Sequence, residues 1–144
     1  MNLSPPVSEH GVFVLDAIVI EELKRLAAAS SLGRSRICLH SGLDAPVQEM
    51  IIALRRESVI EPHKHPRNKP ESYHLIEGAM DVSIFDTAGK IVQVIHLRDG
   101  GPRMYRITGD VWHQPTAVSE FAVYHEVYTG PFEKDTDVRY KDWE

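Results

Sequence analysis

Cysteine is nearly missing from this chain: Cys38 is the single one in 144 residues. One thiol excludes an internal disulfide and leads us to expect a reducing, cytoplasmic setting. No apolar run approaches the ~18 residues of a membrane-spanning helix, so no membrane partner is expected. The opening, Met1-Asn2-Leu3-Ser4-Pro5-Pro6, has neither a basic stretch nor an apolar core; no secretory leader is expected. Positive charge is scarce: 16 Lys and Arg stand against 21 Asp and Glu, a net charge of −5. A general nucleic-acid binder needs a basic footprint, so none is expected. Gly-x-Ser-x-Gly and Gly-x-x-x-x-Gly-Lys do not occur. That disfavours a serine-elbow hydrolase and a phosphate-binding loop.

Helical periodicity is almost as rare. Asp16 can cap one helix from Ala17 to Ala29, with Val19, Leu23 and Leu26, helped by Ile20 and Ala27, as its buried stripe. Gly11 to Leu15 reads as a short strand before it. Beyond Gly33 the period is two. Arg36 to His40, Val47 to Leu54, Ser58 to His65, Ser72 to Glu77, Met80 to Asp86, Ile91 to Leu97 and Arg103 to Ile107 read as strands. Val111 to His113, Ala117-Val118 and Phe121 to Thr129 follow. Short strands between Gly and Pro turns make an all-β sandwich or barrel. Gly130 to Glu144 is charged and aperiodic, and is expected to pack outside as an arm.

Histidine is abundant, with eight residues, and three carry a pattern. His63 and His65 share one face of a strand. Glu71 can open the next strand beside them, once the Pro66–Pro70 loop has reversed the chain. His113 follows Gly109, which permits a tight turn aiming it inward. Three imidazoles and one carboxylate suit a single divalent metal: Zn, Fe, Mn, Ni or Cu. Ligands from separate strands meet only where a sheet curls, so the set implies a barrel. Tyr73 shares the parity of Glu71. With Tyr105 and His125 it is a candidate for the cavity wall and for moving a proton. His74 has the opposite parity, and Cys38 reads as a small buried residue. Arg103 and Arg106 read as solvated residues.

His63-Lys64-His65, five residues, Glu71, six residues and Gly78 resemble the first cupin motif, with one extra loop residue. Gly109 to His113 resembles the second, without its proline and with one extra residue. The resemblance extends to the WbuC-type cupin metalloproteins through the leading helix, Arg34 to His40, Pro46 to Met50, Pro62 to Pro66, Trp112-His113 and Gly130-Pro131-Phe132. It implies a cupin-type double-stranded β-helix, or jelly-roll barrel, with one N-terminal helix and a C-terminal arm. The expected division is 1–33 packed on the barrel, 34–130 the barrel and 131–144 the arm, in one domain. It also implies a homodimer, one divalent metal (Zn, Fe, Ni or Mn) and a role in bacterial surface-polysaccharide metabolism.

Three functions compete. The first is a metal-dependent enzyme on a small sugar-like or oxygenated metabolite, with isomerisation or epimerisation as the concrete expectation. The second is a non-catalytic module that binds or senses a small-molecule ligand at the metal. The third is a structural ion stapling the barrel, as closed tetrahedral zinc does.

Overall fold

The computed structural model describes residues 2–144. Its single helix, α1 (Ala17–Ala29), begins where Asp16 accepts the Val19 N–H at 3.0 Å, which satisfies an otherwise orphaned donor. The strands are β1 (Asn2–Leu3), β2 (Arg34–Cys38), β3 (Val47–Arg55), β4 (His63–Lys64), β5 (Glu71–Glu77) and β6 (Met80–Phe85). They continue as β7 (Ile91–Leu97), β8 (Met104–Ile107), β9 (Trp112–Ala117), β10 (Phe121–Thr129) and β11 (Arg139–Tyr140).

Two sheets form. One runs β1-β2-β3-β10-β5-β8, the other β11-β4-β9-β6-β7. This is the expected cupin-type two-sheet barrel. Alternation along each strand sends one residue set inward. Leu54, Leu75, Met80, Val82, Leu97 and Tyr124 fill the space between the sheets. The opposite parity of the first sheet, Ile37, Ile51, Ala53 and Val123, meets Leu23 and Ala27 of α1. The helix is therefore a cover on the outside of that sheet. Lys24 pins it there, donating to Glu77 of β5 at 2.7 Å. Leu26 lies outside this cluster, so the buried stripe is narrower than expected.

Five elements differ from the sequence reading, the first being β1, an unexpected strand that pairs in parallel with β2. Gly11 to Leu15 forms no strand; only an isolated bridge joins Val7 to Phe13. The strand expected over Ser58 to His65 shrinks to His63–Lys64, because Pro62 and Pro66 bracket it and neither can donate to a ladder. The two strands expected over Val111 to His113 and Ala117-Val118 merge into one, β9, despite Pro115. β4 pairs with β9 only at His63–His113, so Pro115 has one neighbouring strand, β6, where it opposes Val82. The aperiodic C-terminal arm supplies β11, which pairs Arg139 with Lys64 and Tyr140 with His63. Two residues are too few to show a period.

Leu23 has no exposed surface. Leu23→Ala removes its packing and leaves a cavity under the helix. A loss of about 2–5 kcal/mol is expected, read by urea unfolding.

Candidate metal centre

The two sheets meet at one polar point. β4 carries His63, His65 follows it directly, and β9 carries His113 opposite His63. Glu71 opens β5 in the other sheet. The structure brings the four side chains together inside the barrel. His113 is 0% exposed and Glu71 3% exposed. The ligand nitrogens of the three imidazoles lie within 4.8 Å of one another.

Each ring is oriented by a backbone carbonyl. His63 Nδ1 is 2.9 Å from the Glu61 carbonyl, His65 Nδ1 2.8 Å from that of Asp137, and His113 Nδ1 2.9 Å from that of Val111. A carbonyl only accepts, so Nδ1 carries the proton, and in the neutral ring Nε2 keeps its lone pair. His65 Nε2 and Glu71 Oε2 are 3.0 Å apart; His113 Nε2 and Glu71 Oε1 are 3.1 Å apart. His65 Nε2, His113 Nε2 and Glu71 Oε1 are buried without a hydrogen-bond partner. Buried acceptors facing each other are costly unless a cation or a proton lies among them. Three imidazoles and a carboxylate with carbonyl-fixed tautomers fit a divalent metal.

The electrostatics agree. Burial, then the neighbouring His113, pulls His63 down to about 4, so this ring stays neutral. Burial pulls His65 down as well, but the Glu71 carboxylate more than offsets it and leaves the ring above its ordinary value. Burial pushes Glu71 up, yet His113 and His65 hold it well below the usual carboxylate range.

The surroundings hold the constellation in place. The loop between His65 and Glu71 is tied to the C-terminal arm through Lys69. Its ammonium contacts both Asp137 oxygens at 2.8 Å, and Asp137 is 1% exposed. Tyr128 packs its ring on His65 at 4.7 Å. Gly109 acts differently from the expectation. A Cβ there would strike the Pro66 carbonyl, so the glycine allows close approach of two loops. The left-handed residue of this turn is Asp110, at φ 66°. Its N–H donates to the His65 carbonyl at 2.7 Å, and its carboxylate accepts from Lys64 at 2.6 Å.

A cavity of about 540 Å³ opens from this point along the inner face of the first sheet. Tyr73 lines it as expected. Tyr105 does not: its ring lies against Tyr73 at 5.0 Å, within the packed core. His125 has outward parity on β10, where its Nε2 meets Glu49 Oε1 at 2.7 Å. Inward parity on β10 belongs to Tyr124, Glu126 and Tyr128, which oppose Leu75, Tyr73 and Glu71 of β5. Glu126 is the residue the sequence reading missed. It is 9% exposed, and burial, then the charge of Glu71, pushes its carboxyl up to about 8. Its signal was an ionisable residue in step with Tyr124 and Tyr128 along an apolar strand. Burial also raises the hydroxyls of Tyr73 and Tyr124 well above the ordinary tyrosine value, so both keep their protons.

A family model for a domain of unknown function, DUF6016, matches residues 15–97. The chain belongs to that family. The match spans α1 to β7 and includes His63, His65 and Glu71; His113 lies beyond it. No curated protein matches the chain. Among solved structures, protein SO0799 from Shewanella oneidensis aligns with a TM-score of 0.59 at 11% identity, over 73% of this chain and 72% of that one. Oxalate decarboxylase from Bacillus subtilis aligns at 0.54 with 19% identity, over 68% and 24%. The Lactobacillus farciminis enzyme, in its formate complex, aligns at 0.52 with 17% identity, over 66% and 26%. The chain thus spans about a quarter of the length of those decarboxylases. These likenesses show the fold alone, a cupin-type two-sheet barrel.

Two outcomes follow. His63→Ala combined with His65→Ala removes half of the ligand set, and elemental analysis should find most of the metal gone; wild-type content would contradict the site. Metal must also displace the proton that Glu71 favours on His65. Affinity should therefore fall from pH 8 towards pH 5, nearing tenfold per unit below the raised His65 value. Titration calorimetry at several pH values measures this, and a flat affinity would refute it.

Proposed function

We propose that this protein is a metal-dependent enzyme of the WbuC type, with His63, His65, Glu71 and His113 as ligands. Its substrate is a small sugar-like or oxygenated metabolite of bacterial surface-polysaccharide metabolism, and its reaction is an isomerisation or epimerisation. One observation carries the reading: His63, His65 and Glu71, three of the four ligand side chains, line an open cavity rather than a closed shell. A structural ion has no use for such a cavity. Four protein ligands leave one or two positions free on a five- or six-coordinate ion.

A divalent ion bound here would polarise a carbonyl or an adjacent hydroxyl. The remaining chemistry belongs to the chain. Isomerisation needs a group that gives and takes a proton near neutrality. Glu126, whose buried carboxyl is pushed up to about 8 before the charge of an ion acts on it, is such a group on the cavity wall. Tyr73 and Tyr124 beside it remain neutral donors that can orient substrate oxygens. Asp137 and Lys69, in contact behind His65, keep the loop carrying the ligands from shifting when substrate enters.

A non-catalytic reading has support as well. A Vibrio cholerae transcriptional regulator of the HTH_3 family aligns with a TM-score of 0.51 at 24% identity, over 68% of this chain and 51% of that one. In that reading the same cavity binds a small ligand without turning it over.

Glu126→Gln separates the two. The variant should keep its metal by elemental analysis. Its turnover of a panel of keto- and hydroxy-sugars and nucleotide-sugars, followed by NMR, should fall roughly 100-fold or more. No turnover by the metal-loaded wild type, with ligand binding retained, would favour the binding module instead.

A further inference from the structure

The cavity runs from the metal ligands to an edge of the sheet with a different character. Strand register places its floor in rows. Glu71 of β5 opposes Tyr128 of β10, which opposes Gln48 of β3. The row of Leu75, Tyr124 and Ile52 ends at Arg36 of β2. Arg34 lies two residues earlier, on the same face. Both arginines line the cavity, beside His40.

Neither guanidinium has a carboxylate partner among the described residues. Arg34 donates to the Val59 carbonyl at 3.2 Å and Arg36 to Asn2 Oδ1 at 3.3 Å. Both retain donors, in the forked geometry that fits a phosphate or a carboxylate. Lys134 of the C-terminal arm adds a further cation to the lining. The acidic lining residues are Glu71 and Glu126 alone, and both are buried at the inner end. The chain carries −5 overall, yet this mouth is cationic.

We propose that Arg34 and Arg36 form an anion-binding subsite, and that the substrate is a phosphorylated hydroxy-metabolite held at both ends. This rests on the metal reading above: oxygens at one end of the ligand meet the ion, and the phosphoryl group at the other meets the arginines. β2 lies three strands from β5, roughly 14 Å across the sheet, and the Arg36 row lies four residues beyond the Glu71 row, roughly 13 Å along the strands. An arginine side chain reaching along that diagonal, met by the ligand side chains from the other end, shortens the span to that of a small phosphorylated sugar or hydroxy acid. Such a field also draws anions in and so favours them over neutral sugars of the same shape.

The test uses the full chain loaded with metal, with 3-phosphoglycerate and glycerate as probes in titration calorimetry. The phosphorylated probe should bind at least about tenfold more tightly. Arg34→Gln combined with Arg36→Gln should abolish that preference while leaving glycerate affinity, metal content and the unfolding midpoint unchanged. Arg106→Gln, on β8 and outside this cavity, should keep the preference. With metal present, equal affinity for the two probes, no binding of 3-phosphoglycerate, or a preference that survives in the double variant would overturn the arginine subsite alone. Wild-type protein that holds no metal by elemental analysis would overturn both readings.

Discussion

Two imidazole nitrogens, His65 Nε2 and His113 Nε2, and the Glu71 Oε1 oxygen are buried facing one another without a hydrogen-bond partner. Backbone carbonyls fix the rings of His63, His65 and His113, so their Nε2 atoms cannot turn to other partners. Leaving such acceptors buried and unpaired would weaken the fold. A bound cation converts the same arrangement into a gain, because metal binding to a preformed site adds directly to the stability of the folded state. The remaining features of the site make sense from this constraint. The bracket of prolines around β4, the missing Cβ at Gly109 and the Lys69–Asp137 pair all restrict the segments that carry the rings.

The two sheets have different duties. The second supplies the histidines from short, constrained strands. The first supplies Glu71 and a long inner face through β5, β10, β3 and β2. That face changes from aromatic and acidic near the ligands to cationic at β2. The helix and its apolar stripe sit on the opposite side of the first sheet, which keeps the cavity free of packing duty. The C-terminal arm closes the other side: Asp137 orients His65, and β11 completes the strand ladder beside His63.

Much of this was legible in the sequence, for identifiable reasons. The ligand set could be read because His63, His65 and Glu71 obey strand parity over a short span, and α1 because a cap and a 3.6-residue stripe coincide. β3, β7 and β10 were equally clear as apolar, β-branched runs between turns. What escaped was long-range pairing. Both faces of β10 carry apolar and ionisable residues, so His125 was placed in the cavity while Glu126, in step with Tyr124 and Tyr128, was overlooked. Tyr105 has the correct parity but stands behind Tyr73, a matter of depth rather than pattern. The arm and β1 are strands only through their partners, and two residues carry no period.

The most direct test is X-ray absorption spectroscopy at the edge of whichever metal copurifies with the untagged protein. The account predicts a first shell of three imidazole nitrogens and at least one carboxylate oxygen, with metal–ligand distances of about 2.0–2.2 Å and further oxygens from solvent. A shell lacking histidine scattering, or a protein that takes up no stoichiometric metal, would contradict it.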